Sequence, residues 1–312
     1  MTARYLVTGG AGFIGSHLAQ AILDQGAAVR VLDNFSAGRD RNLAALGGRA
    51  EVLRADVRDL DAVRAAVAGV EVVFHEAALA SVPESIADPL RALEVNVTGT
   101  QHILLAARDA GVRRVVFASS CAIYGNESAL PQEEGMPPCP LSPYALHKLA
   151  GEHLCRLFTQ LYGLETVALR YFNVFGPRQD PASEYAAVIP RFLTTLLEGK
   201  RPTVFGDGEQ TRDFMYIANV VKANLLAAEA PDAVGQVINI GSGEQRSLNE
   251  LLRIAGELLG VAVEADYREP RAGDVRDSLA SLERARHLLG YEPVIGFREG
   301  LARTLAALRT ER

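Results

Sequence analysis

Tryptophan is missing from this chain of 312 residues, and cysteine occurs only three times, at Cys121, Cys139 and Cys155. Three thiols without Cys-x-x-Cys spacing make neither a disulfide framework nor a zinc site, so no metal is expected. No apolar run approaches the roughly 18 residues that cross a bilayer. The opening MTARYLVTGG enters an apolar run at once, with no leader pattern ahead of it. Basic residues are not in excess either: 32 Lys and Arg stand against 38 Asp and Glu, a formal net charge of −6. Nucleic-acid binding needs a basic footprint, and this balance supplies none. The expectation is a globular, cytoplasmic protein with no membrane or nucleic-acid partner. At 33.5 kDa it can bury one large core or two smaller ones.

What is present is a rhythm. Residues 4–8 form an apolar run stopped by Gly9-Gly10, residues 16–23 read at helical period up to Gly26, and residues 27–32 form a second run that stops at Asp33. Strand, helix and strand in about thirty residues is one βαβ unit. The pattern continues with strands over 50–53, 70–74, 112–118 and 166–169, and helices over 60–67, 90–110 and 144–162. Continuous apolar runs, rather than alternation, indicate parallel strands covered on both faces. After about residue 175 the alternation stops: Pro177, Pro181, Pro190 and Pro202 cut the chain into shorter pieces. A late strand at 237–241 returns to the earlier style, and amphipathic helices are expected at 248–259, 281–289 and 297–308. The fold class is α/β: a Rossmann-type doubly wound parallel sheet with a smaller, interwoven C-terminal α/β domain. The first domain takes residues 1–175 with about 215–242 returning to it, and the second takes 176–214 and 243–312.

The glycine-rich turn GGAGFIG at 9–15 follows the first strand and opens the first helix. Gly10, Gly12 and Gly15 fit G-x-G-x-x-G, and Gly9, Gly12 and Gly15 fit the looser G-x-x-G-x-x-G. Such glycines remove a Cβ where the chain turns, where a pyrophosphate approaches backbone, or where helix meets strand, and the helix N-terminus offers N–H groups to the phosphates. Asp33, closing the second strand, would accept from the adenosine ribose and repel a 2′-phosphate, which selects NAD over NADP. Arg39 and Arg41 nearby are the counter-signal. Asp56, at the next strand end, reads equally as an adenine contact and as a turn aspartate.

Tyr144 and Lys148 lie four apart just after Pro143, at the start of a helix, so they share a face. A phenol near pKa 10 is a poor base at neutral pH. A neighbouring ammonium and a positive nicotinamide ring would both favour the phenolate, which could then take a proton from a substrate hydroxyl. Ser119 and Ser120 end a strand on the ligand side of the sheet. Adjacent residues point to opposite faces, so one of them is expected beside the tyrosine and the other to cap backbone.

These motifs resemble the extended short-chain dehydrogenase/reductase family, and within it the nucleotide-sugar 4-epimerases. The run is GGAGFIG at 9–15, Asp33, Asp56-Val57, HEAALASVP at 75–83, Asn96 with Gly99-Thr100, SSCAIYG at 119–125, SPYALHK at 142–148, RYFNVFGPRQ at 170–179, GDGEQTRDF at 206–214 and RAGDVR at 271–276. The resemblance implies Tyr144 as catalytic base, Lys148 as its ribose-holding partner and Ser120 as the hydroxyl on the substrate oxygen. It implies an NAD site of Gly9, Gly12, Phe13, Ile14, Gly15, Asp33, Asn34, Asp56, Val57, Ala77, Ala78, Ala80 and Asn96, together with Tyr144 and Lys148. For a UDP-sugar it implies Asn173, Val188, Arg212, Arg271 and Asp274. It also implies a homodimer through the 90–110 and 144–162 helices.

Within the family, 4,6-dehydratases carry Asp-Glu after the catalytic hydroxyl and decarboxylases carry glutamate at the second of these positions. Here they are Cys121 and Ala122, which leaves epimerisation through a 4-keto sugar. Ser278, where enzymes of narrow specificity hold a bulky tyrosine, leaves room for a 2-acetamido group. The expected substrates are UDP-glucose and UDP-galactose, with the N-acetylated pair beside them. A reductase that releases its cofactor each cycle and a non-catalytic NAD-binding sensor are the alternatives. Cys121, among apolar neighbours, reads as an inert thiol, and His75 as a histidine satisfied by local backbone.

Overall fold

A computed structural model describes residues 5–127, 129–180, 188–270 and 276–310. Its strands are β1 (Tyr5–Thr8), β2 (Val29–Asp33), β3 (Glu51–Arg54), β4 (Val72–His75), β5 (Arg114–Ser120), β6 (Glu165–Tyr171), β7 (Asn173–Phe175), β8 (Thr203–Phe205), β9 (Thr211–Tyr216), β10 (Val237–Ile240), β11 (Gln245–Ser247) and β12 (Asp266–Arg268). Seven of them make one sheet in the order β10-β6-β5-β4-β1-β2-β3, and every pairing in it is parallel. The strand order reverses between β1 and β4, and open α/β sheets bind ligands at such a switch point, beyond the carboxyl ends of the strands.

The interior strands bury almost every side chain, as a sheet covered on both faces must. One face packs on helices Phe13–Asp24 and Ile217–Glu229, in a core that runs on without a break through Phe192, Leu193, Leu251 and Leu301. The other face packs on Leu60–Val67, Gly99–Asp109 and Pro143–Tyr162. No helix among the described residues is long and apolar enough to cross a membrane.

The chain changes sheets abruptly. One residue after β6, β7 pairs in parallel with β9, which pairs antiparallel with β11, while β8 and β12 form a separate parallel pair. Helix Ile217–Glu229 and β10 then return to the large sheet.

The helix expected over 90–110 is interrupted. Helix Pro89–Leu93 runs into a π-helical turn at Glu94–Thr98 before helix Gly99–Asp109 begins. The turn carries Asn96, whose buried amide accepts from Leu79 N at 2.7 Å and donates to Leu79 O at 3.0 Å. One extra residue in the turn re-aims a side chain, as π-turns do, and the loop after β4 is held as a result. By contrast, helix Pro143–Tyr162 starts and stops as its sequence dictates. Ser142 Oγ accepts from Ala145 N at 3.2 Å, Pro143 fills the first position, and Gly163 closes it at φ +72°.

Candidate active site

At the switch point a cavity of about 260 Å³ is lined by Gly9, Gly12, Phe13, Ile14, Gly15, Asp33, Asn34, Val57, Ala77, Ala78 and Ala80, and also by Gly38 and Glu76. The glycines serve different ends. At Gly9 φ is +67°, and an added Cβ would come within 2.9 Å of the Ala77 backbone. At Gly15 a Cβ would overlap the Gly9 carbonyl, so this glycine lets the helix close on the turn. Gly12 has room apart from one approach of 3.0 Å to Gly9 O. It begins helix Phe13–Asp24 with no side-chain cap, so the first-turn N–H groups remain available to an anion.

Asp33 is buried with each carboxylate oxygen fixed by one backbone N–H, from Ala11 at 2.9 Å and from Phe35 at 2.7 Å. Each oxygen keeps a lone pair for a hydroxyl in the cavity. Gly38 lies so close that its Cβ would be 2.8 Å from Asp33 Oδ1. Asp56 does not line the cavity. It accepts from Asn34 Nδ2 at 2.7 Å and from Arg58, whose hydrogen bonds hold its carboxyl down at about 2. This geometry is that of a turn aspartate bracing Asn34. Asn96 likewise stands behind the cavity wall, and Arg39 is paired with Asp180 at 2.9 Å.

Tyr144 and Lys148 occupy the first turns of helix Pro143–Tyr162, facing the carboxyl end of β5. Burial pushes the Tyr144 phenol up to about 12, and the facing Ser120 hydroxyl works against that rise. The Lys148 ammonium donates to Ala118 O at 2.6 Å and lies 5.8 Å from the Tyr144 ring centre. Burial brings its own pKa down to about 8. The ammonium is thus anchored on a β5 carbonyl on the Tyr144 side of the helix.

The two serines divide as their alternation requires, with Ser120 taking both of the expected roles. Ser120 both meets Tyr144 and caps the turn through Ala122 N at 3.2 Å. Ser119 turns away and donates to Glu152 Oε1 at 2.6 Å. His75 is satisfied by two hydroxyls rather than by backbone, Thr8 Oγ1 at 2.8 Å and Thr100 Oγ1 at 3.0 Å, and burial drives its pKa down to about 3. Burial pushes the Cys121 thiol up to about 12, so it is no nucleophile.

A second cavity of about 410 Å³ contains Asn173, Val188 and Arg212, with Arg191, Phe205 and Gln210 beside them. Arg212 is held by the carbonyls of Thr211 and Arg276 at 2.8 and 2.7 Å. Asn173 Nδ2 donates to Asp213 O and to Ser278 Oγ, both at 3.2 Å, so Ser278 sits buried behind Asn173. Arg271 and Asp274 lie outside the described residues. Arg191 was legible: it is three residues after Val188, on the same helical face.

Residues 5–241 match the NAD dependent epimerase/dehydratase family. A UDP-glucose 4-epimerase of Mycolicibacterium smegmatis is 41% identical over 312 residues, covering 99% of each chain. Among solved structures, a UDP-N-acetylglucosamine 4-epimerase from Methanobrevibacter ruminantium, in complex with UDP-N-acetylmuramic acid, superposes with a TM-score of 0.95 at 38% identity over 99% of each chain. A UDP-glucose 4-epimerase of Thermus thermophilus in complex with NAD gives 0.89 at 39% identity, over 98% of this chain and 99% of that one. With a glycine-lined cavity at the switch point, a tyrosine–serine pair beyond it and likeness along its whole length, the chain belongs to the NAD dependent epimerase/dehydratase family.

Proposed function

We propose that the protein is a cytoplasmic UDP-sugar 4-epimerase that keeps NAD bound, and acts on UDP-glucose and UDP-galactose and on their N-acetylated counterparts. The observation that carries this reading is the glycine-lined cavity at the switch point, with the Tyr144 phenol facing the Ser120 hydroxyl beyond it. The fit to NAD rests on Gly12, which leaves the helix N-terminus open, and on the Asp33 carboxylate, whose charge repels a 2′-phosphate. When bound, NAD supplies a hydride acceptor and donor together with a positive ring that favours a phenolate.

In the reaction Tyr144 takes the proton of the sugar 4-hydroxyl, with Ser120 steadying the oxygen, and returns it to that same oxygen after the sugar has turned, when hydride would re-enter C4 from the opposite face. Arg212 and Arg191 suit a diphosphate, two guanidinium forks lining one cavity together with the polar Asn173 and Gln210. Gripping the nucleotide this firmly leaves the 4-keto sugar free to turn over. Elimination of water and decarboxylation both need an acid group after Ser120, where this chain has Cys121 and Ala122.

Incubating pure protein with each of the four UDP-sugars, with no NAD added, is expected to bring each pair to one equilibrium from both sides. Denaturation should then release NAD and not NADP. No interconversion even with NAD supplied would defeat the reading, and net reduction with loss of cofactor would point to a reductase. The rate ratio between the two pairs measures how far the site admits a 2-acetamido group.

A homodimer is the assembly this reading implies. On helix Pro143–Tyr162 the exposed Leu146, Leu157 and Leu161 fall on one stripe. Ile86 and Leu90, 59% and 72% exposed, belong to the adjoining helices Val82–Ala87 and Pro89–Leu93. Contiguous apolar surface of this kind marks an association site. Light scattering should give twice the 33.5 kDa chain mass; the single mass would refute the dimer.

A further inference from the structure

Glu76 has no part in the chemistry described so far, yet it lines the cofactor cavity. We propose that the Glu76 carboxylate biases the bound cofactor toward its oxidised form by placing a negative charge at the nicotinamide end of the cavity. The inference rests on the NAD reading given above and deepens it.

The position follows from the sheet. His75, the last residue of β4, is level with Phe117 on β5, and Ser120 at the end of β5 is level with Tyr171 on β6. Glu76 continues β4 by one residue and, by alternation, points to the face of helices Phe13–Asp24 and Ile217–Glu229. Its carboxylate reaches across the end of β5 to accept from the Tyr171 hydroxyl at 2.8 Å. Asn224 Nδ2 donates to that same hydroxyl at 2.7 Å, and the phenol's proton is shared between Glu76 and Asn224 Oδ1, which lies 3.0 Å away. The carboxylate is therefore held in place by a neutral donor, and among the described residues no cation forms an ion pair with it.

Asp33 and Glu76 are the two acids of the cavity lining. Asp33 stands where the adenosine ribose belongs, so the cofactor's reactive end lies toward Glu76, Tyr144 and Lys148. The carboxylate is half-buried, with Lys148 acting on it but forming no ion pair, and a positive ring beside it would add a favourable interaction. Reduction adds a hydride, two electrons with one proton, and removes the ring's positive charge, so the attraction is lost in the reduced form. In an epimerase, which must return its hydride every cycle, this bias opposes accumulation of a reduced, idle state.

The titratable groups facing Glu76 are Tyr171 on β6, with neutral Asn224 behind it, and Lys148 and Tyr144 from helix Pro143–Tyr162, whose charges act on it or feel it. His75, the neighbour on β4, points to the other face and is neutral. Burial pushes the Glu76 carboxyl up to about 7, so its charge is present above that pH and disappears below it.

The test is the ratio of bound NAD to bound NADH. Wild type and Glu76→Gln are equilibrated with an equimolar mixture of the two until the bound ratio is constant, freed of excess, denatured and assayed for each form. Exchange of one form for the other takes up no proton of its own, so any pH dependence comes from the protein. At about pH 8.5 the wild type is expected to prefer NAD by on the order of tenfold more than the variant does, and the difference should close at about pH 5.5. Tyr171→Phe, which keeps the carboxylate, should behave as wild type at the higher pH. Equal, pH-independent ratios overturn the proposal and leave the NAD reading intact, whereas neither protein binding either form overturns both. A Tyr171→Phe ratio that matches Glu76→Gln overturns it too, because packing rather than charge would then set the ratio. Should Glu76→Gln fail to fold, the wild-type series decides: its preference must fall toward NADH as pH drops through about 7, and a flat series overturns the proposal.

Discussion

Tyr144→Phe is expected to lower kcat for 4-epimerisation by about 10³-fold, within the range that removal of a general base costs. Binding of cofactor and UDP-sugar should hardly change. The substitution removes one oxygen and leaves the ring, which stays packed at the start of helix Pro143–Tyr162. Ser120 keeps its bond to Ala122 N, so the end of β5 keeps its shape, and the thermal midpoint should stay where it is. The pH dependence has a definite sign. Burial pushes the Tyr144 phenol up to about 12, so near neutrality the phenolate is the minor form and its fraction rises with pH. Wild-type kcat should therefore climb with pH until it levels at the apparent pKa of the cofactor-loaded site, which the positive ring lowers. The residual rate of the variant should lack that climb. A Tyr144→Phe enzyme retaining more than about a tenth of wild-type kcat would show that the proton leaves by another route.

The parts of this site that a reader of the sequence can find are those whose residues are neighbours in the chain. Gly9, Gly12 and Gly15 sit within one turn, Tyr144 and Lys148 within one helical repeat, and Asp33 ends a run that is plainly a strand. Their chemistry is written in residue type and spacing. What is not legible depends on partners supplied from elsewhere. The Lys148 ammonium meets Ala118 O because helix Pro143–Tyr162 packs against the C-terminal part of β5, and nothing near residue 148 says so. Glu76 reads as one letter of HEAALASVP, and its distinct character arises when Tyr171, 95 positions on, reaches back to it. Asn96 looks like part of a helical face until the π-turn at Glu94–Thr98 rotates it toward Leu79. In the fold, the long runs of the large sheet were visible because burial on both faces makes them apolar throughout. The three-residue strands β7, β8, β11 and β12 are too short to carry a period.

Glu152→Ala is expected to destabilise the protein by about 3–5 kcal/mol, the cost of leaving one member of a buried ion pair alone. Glu152 and Arg170 are 4% and 5% exposed, and two hydrogen bonds of 2.8 Å join them. Without the carboxylate, the guanidinium keeps its charge in the core over the Tyr124 ring, 4.8 Å away, and Ser119 Oγ loses its acceptor. One guanidinium nitrogen of Arg170 is already without a partner, so the site has nothing in reserve to take up the loss. Exposed pairs such as Arg64–Asp61, 55% and 91% exposed, should cost no more than about 1 kcal/mol when broken. The thermal midpoint of Glu152→Ala should fall by about 5–8 °C. The double variant Glu152→Leu/Arg170→Met should recover part of that fall, because it removes both charges instead of stranding one. A single-variant cost below about 1 kcal/mol would show that water reaches the pair and screens it. Activity separates this role from that of Tyr144. Ser119 adjoins Ser120 at the end of β5, so Glu152→Ala should lose turnover together with stability, whereas Tyr144→Phe should lose turnover alone.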